Sequence, residues 1–208
     1  MNKDKTRKLA VTAMLMAITF LLGLTPVGYI PIPPVSMTIL CLPVIIGTVL
    51  EGLGTGLWIG FAFGVTSLFQ ALGITLVPSP LGTFLLQISV VKTLLVIFIP
   101  RLLIPVTTWL IYKAFSGETK ARKRVATGAA AFIGSITNTV LFLGLLYVIF
   151  MPEMDTLAAA FEATPETFAG VLAGIGAING LPEAALAVLL CVPIVWALQR
   201  QKGKKKLA

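Results

Sequence analysis

The sequence contains no histidine and only two cysteines among its 208 residues. The missing histidine rules out H-E-x-x-H zinc chemistry, histidine metal clusters and imidazole acid–base catalysis. Cys41 in "TILCLPV" and Cys191 in "LLCVPI" stand in apolar surroundings, which suits packing thiols better than a disulfide or a metal site. No phosphate-cradling G-x-x-x-x-G-K-[ST] is present, so the chain itself lacks that route to ATP hydrolysis. G-x-S-x-G is missing as well, and with it the serine hydrolase reading. No nucleophile–base constellation remains, so an enzyme is the least supported class, and the sequence asks for neither cofactor nor metal.

Charge is scarce too. Only 12% of residues are charged, against about 25% in an ordinary soluble domain. The rest is apolar, with 57% hydrophobic residues and a mean hydropathy of +0.99. Several apolar runs approach the ~20 residues needed to cross a ~30 Å hydrocarbon core. The chain reads as a polytopic membrane protein.

The net charge of +8 is distributed in a way that points to membrane topology and not to nucleic acid. Basic residues cluster in the N-terminal stretch 1–8, in "KAFSGETKARKR" (113–124) and in the tail 200–208; only Lys92 and Arg101 lie elsewhere. By the positive-inside rule all three clusters face the cytoplasm. The tail can also meet anionic membrane lipid, although topology alone accounts for its charge. The first apolar run follows basic residues as a signal peptide would. It continues into "GLTPVGYIPIPP" without a small-x-small cleavage site, so it is expected to be a retained span.

Spans are expected at 9–25, 37–50, 53–72, 125–150 and 167–199. The region 74–113 allows one or two more. The basic N-terminus and the basic 113–124 loop belong on one side, which requires an even number of crossings between them. The fourth span is therefore placed at 95–113, and 73–94 becomes an outer segment. The expected fold is an all-α integral membrane protein: a six-transmembrane-helix bundle forming a single domain over 1–208, with N- and C-termini cytoplasmic. The loop 151–167 carries Glu153, Asp155, Glu162 and Glu166 and fits the outer side, with a short surface helix in its alanine-rich middle. Gly52, Gly56, Gly60 and Gly64 recur every fourth residue and predict a face where another helix of the same chain packs closely. No long internal repeat is visible.

Polar residues within spans are expensive and mark function. Arg101, in "IFIPRLLIPV", stands twelve residues from Lys113, a rise of ~18 Å that is too long for easy snorkelling. Span five offers Ser135, Asn138 and Thr139 in "GSITNTVLF", and span six offers Asn179 and Glu183 in "GAINGLPEAAL". Helical rises bring these groups to a common depth below the proline-rich outer segments. They predict an outward-facing pocket for a small polar solute, with Arg101 gripping a carboxylate or phosphate and the amides matching the solute's own polar groups. Phe142, Tyr147 and Trp109 are candidates for its walls. The alternative is an Arg101–Glu183 pair that only stabilises the bundle. Lys92 is expected as a solvated surface residue.

These features together resemble a known family. The stretches "TPVGYIPIPPVSMTILCLPVIIGTVLEG", "GFAFGVTSLFQA", "IPRLLI" and "GSITNTVLFLGLLYV" are similar to the substrate-binding S components of energy-coupling factor (ECF) vitamin transporters, the pantothenate-type members in particular. The resemblance implies a protein that binds a vitamin from outside, pantothenate first among the candidates. It also implies association with a transmembrane coupling subunit and two cytoplasmic ATPase subunits. Ala13 and Ala17 match the family's A-x-x-x-A motif, the surface that docks the coupling subunit, and 26–38 matches the segment that gates the pocket. Pocket residues would come from helices four to six, where Arg101, Ser135, Asn138, Thr139, Asn179 and Glu183 stand. Competing readings are an S component for another vitamin such as riboflavin or folate, a stand-alone secondary transporter of a small organic anion, and a non-transport membrane subunit.

Overall fold

A computed structural model describes residues 3–30 and 37–204. Its helices follow the apolar runs. α1 spans Lys3–Leu24; a 3₁₀ turn at Pro26–Gly28 leads into strand β1 (Tyr29–Ile30), which pairs antiparallel with β2 (Met37–Thr38), Tyr29 opposite Thr38. The chain then forms α2 (Cys41–Glu51), α3 (Leu53–Ala71), α4 (Pro80–Ile88), α5 (Val90–Phe115) and α6 (Lys120–Ile149). A 3₁₀ turn, α7 (Met154–Ala160) and α8 (Pro165–Ile175) follow, then a π turn at Gly176–Gly180 and α9 (Leu181–Lys204).

Five helical stretches are long and apolar enough to cross a bilayer: 5–24, 53–71, 90–115, 120–149 and 165–200. The expected span at 37–50 is different. Its helix has only 11 residues, a rise of ~16 Å against the ~30 Å core. The β1–β2 pair occupies the start of the expected span, so α2 alone is half a crossing. It is nonetheless the heart of the bundle, with nine of its residues buried, Cys41 through Val49.

The fourth span also differs from expectation. α5 starts at Val90, so 90–94 belong to the membrane helix and not to an outer segment. Ser89 caps it by accepting from the Lys92 N–H at 3.5 Å. Lys92, expected to be solvated, instead pairs with both oxygens of Glu153 at 2.7 Å and lies over the Phe150 ring. The paired charge removes the reason to end the helix there. α6 likewise begins five residues before the expected boundary, with Thr119 as its cap.

The glycine stripe packs inside the chain. A Cβ at Gly60 would lie 2.5 Å from the Arg101 carbonyl oxygen, and one at Gly64 2.6 Å from Phe98, so α3 rests directly on α5. Gly52 departs from the stripe: its φ of +92° makes it the turn between α2 and α3, a conformation that favours glycine.

Helix order along the bundle follows from contacts. Arg7 of α1 pairs with Glu51 at 3.7 Å, Thr12 touches Thr55 at 3.2 Å, and Gln70 donates to the Gly23 carbonyl at 2.9 Å, so α1 and α3 run parallel. α3 is antiparallel to α5 by the glycine contacts. At the far end of α5, Gln199 of α9 donates to Tyr112 at 3.3 Å. The beginning of α1 and the end of α9 thus lie at the same end of the molecule.

Candidate functional site

Arg101 lies near the middle of α5, between Pro100 and Pro105. Pro105 faces Gly56 and Gly60, so its ring meets the glycine face of α3. The guanidinium sits between two aromatic rings, 5.2 Å from Phe63 of α3 and 5.0 Å from Phe142 of α6. Tyr29 and Glu183 lie within its electrostatic reach. Among the described residues no carboxylate comes within 4.0 Å of it, so Arg101 and Glu183 do not form a contact ion pair. Its Nε and Nη1 are buried without a hydrogen-bond partner among those residues.

Other polar groups on the membrane helices share this state. Asn138 Oδ1, Ser135 Oγ and both amide atoms of Asn179 are buried and unpartnered among the described residues, as is Thr108 Oγ1. Most buried polar atoms in proteins have partners. Seven atoms on α5, α6 and the Gly176–Gly180 turn are thus left without a partner among the described residues. A guanidinium between two ring faces retains its donors for a planar anion while the rings favour its charge.

Local chemistry places Asn179. Pro182 has no N–H to return to the Ile178 carbonyl, and the chain widens into the π turn Gly176–Gly180 just before it. Gly180 brings this turn against α6: a Cβ there would be 2.8 Å from the Thr139 methyl. π turns inside helices recur at functional positions.

Glu183 follows in the first turn of α9, buried, and accepts a hydrogen bond from the Thr38 N–H of β2. Across the hairpin, Gln70 of α3 donates to the Tyr29 hydroxyl. Tyr29 itself is half-buried. The strand pair is thus held to α3 on one side and to α9 on the other. Within the expected gating segment 26–38, residues 31–36 lie outside the described residues.

Of the sequence candidates, the structure brings Arg101 together with Phe142 and sets Glu183 and Ser135 beside Cys41. Thr139 stands apart: it packs against Gly180 and lines a lateral apolar groove between α6 and α8. Tyr147 is also in that groove, stacked on Phe168 at 6.5 Å, and Trp109 carries Lys113 at 4.8 Å, so neither walls the polar set. Phe63, Tyr29 and Thr108 escaped the sequence reading. Phe63 was legible only as the neighbour of Gly64 on a helix assigned to packing.

A multi-pass membrane bundle with a central orphaned guanidinium defines a class, the membrane-embedded binders of small polar solutes. The sequence comparisons specify it further. Residues 7–195 match the family described as ECF transporter, substrate-specific component. The Pantothenic acid transporter PanT of Lactococcus lactis subsp. cremoris is 31% identical over 213 residues, covering 98% of this chain and 99% of that one. The Pantothenate transporter PanT of Leuconostoc mesenteroides subsp. mesenteroides is 30% identical over 206 residues, covering 93% of each. The chain belongs to the substrate-specific components of ECF transporters, multi-pass proteins of the cell membrane.

Proposed function

We propose that this protein binds pantothenate from the outer side of the membrane and delivers it to an ATP-driven ECF importer. The observation that carries the reading is a group of orphaned atoms on α5, α6 and the π turn: one guanidinium, two side-chain amides and two hydroxyls, buried without partners among the described residues. Pantothenate presents one carboxylate, one amide and two hydroxyls. Arg101 takes the carboxylate, and Asn138 and Asn179 exchange hydrogen bonds with the amide and hydroxyls. Ser135 adds a hydroxyl at the deep end, and Glu183 ties the hairpin to the same place. Thr139 contributes by seating the π turn that carries Asn179. Two relatives with pantothenate in their names, aligned over nearly the whole chain, support the substrate. Riboflavin would ask for more stacking surface than Phe63 and Phe142 offer.

In this reading α2 and the β1–β2 pair together make a sixth crossing, and both termini are cytoplasmic. Ala13 and Ala17 are exposed on α1 and dock the transmembrane coupling subunit, which is joined to two cytoplasmic ATPase subunits. Calorimetric titration of the purified chain with pantothenate, riboflavin, folate and biotin tests the substrate. The expected result is saturable one-to-one binding of pantothenate alone. Binding of a different vitamin, or of none, overturns the assignment.

A further inference from the structure

Two guanidiniums converge on one indole at the end of the bundle where α9 finishes. Arg124 of α6 lies 4.6 Å from the Trp196 ring centroid and Arg200 lies 5.7 Å from it. Among the described residues neither has a carboxylate within 4.0 Å, so the charge is not neutralised within the bundle. Just beyond Arg124 an apolar groove of about 540 Å³ opens, lined by Ile111 and Phe115 of α5, Gly128 and Phe132 of α6 and Val188 of α9. Gly128 makes the groove, since nothing projects from that position; a Cβ there would rest 3.6 Å from Val192 and 3.7 Å from Val188.

The register joins the two features. Arg124, Gly128 and Phe132 are each four residues apart and share one face of α6; Val188, Val192, Trp196 and Arg200 do the same on α9. Each row therefore runs from apolar to cationic in the same direction. Phe115 and Phe132 are exposed, so the groove faces outward from the bundle.

We infer that this α5–α6–α9 corner holds one anionic phospholipid, with its phosphate between Arg124 and Arg200 and an acyl chain in the groove at Gly128. Charge decides the class of occupant. An apolar groove alone accepts any lipid chain or a partner helix, but two uncompensated guanidiniums at its polar end select an amphiphile with a negative head. Arginine forks suit phosphate oxygens, and basic pockets between membrane helices at the cytoplasmic side are headgroup sites.

Native mass spectrometry of the full chain, with phosphatidylglycerol and phosphatidylcholine of identical acyl chains, tests the site. The expected result is a single retained phosphatidylglycerol, bound at least tenfold tighter than phosphatidylcholine. Arg124→Gln with Arg200→Gln removes that preference. Gly128→Leu, which fills the groove and leaves both arginines, weakens phosphatidylglycerol by a similar factor. Neutralising Lys204, Lys205 and Lys206 leaves it unchanged, and thermal melting of each variant confirms that it is folded. Equal retention of the two lipids, survival of the preference in the double variant, or its loss in the tail variant overturns the proposal. Binding of free glycerol phosphate as tight as that of the lipid would make this a simple anion site. Protection of the corner from lipid by a copurified coupling subunit would assign the face to protein instead.

Discussion

Arg101 concentrates the energetic stakes of the molecule in one side chain. Hydrogen bonds to a charged group contribute about 1.5–3 kcal/mol each, and every 1.4 kcal/mol is a tenfold change in affinity. Arg101→Ala is expected to weaken pantothenate binding by about 10- to 150-fold or more, measured by titration calorimetry. Arg101→Lys keeps the charge but loses the planar fork, so it recovers only part of the affinity. Glu183 separates two roles. Glu183→Gln retains an oxygen for the Thr38 N–H and removes a negative charge near Arg101, so an anionic ligand should bind at least as tightly as before. Glu183→Ala loses the hairpin bond, and stopped-flow measurement should show faster ligand dissociation. If both variants lose affinity equally, the carboxylate touches the ligand directly.

Among the elements, α3 and α5 depend on a contact made without side chains. Gly60→Val would force a branched carbon against the Arg101 carbonyl, and overpacking of this kind costs about 1–3 kcal/mol. Thermal melting should show the loss, and binding should fall with it because the displaced helix carries Arg101. Lys92 and Glu153 are partly exposed, and a pair of this type contributes about 0–1 kcal/mol. Lys92→Ala should therefore lower the melting temperature only slightly. The elements also show what could be read in advance. Apolar runs located the long helices and the glycine spacing marked the face of α3 that another helix packs against, because both are properties of consecutive residues. The half-length of α2 was not legible: "TILCLPVIIGTVL" is apolar whether it forms a helix throughout or begins as a strand held by Glu183, 145 residues away. The start of α5 was hidden for the same reason, since the partner of Lys92 is Glu153, 61 residues away. Arg101, Asn138 and Asn179 stood out as polar residues in apolar spans. Phe63 and Tyr29 did not, since an aromatic residue in such a chain is ordinary.

For the molecule as a whole, binding and assembly are expected to separate. Ala13→Leu with Ala17→Leu changes an exposed face of α1, so pantothenate affinity should persist while copurification with the coupling subunit is lost. The sidedness of the bundle has its own measurement. Both native thiols are buried, so a cysteine introduced at Ser116 or Glu118 should be the reactive one. It should react with an impermeant maleimide only in inverted vesicles.

Under the proposed sixth crossing, the strand pair sets backbone where a bilayer tolerates none of it uncovered, because an extended ribbon cannot satisfy its own amides in hydrocarbon. Its attachments to Gln70 and Glu183 hold the described strands against α3 and α9. In the proposed arrangement entry is expected through the aqueous mouth, with sideways diffusion out of the oily phase closed. A greasy ester of the vitamin, however much of it dissolves in the bilayer, should gain no shortcut to the guanidinium.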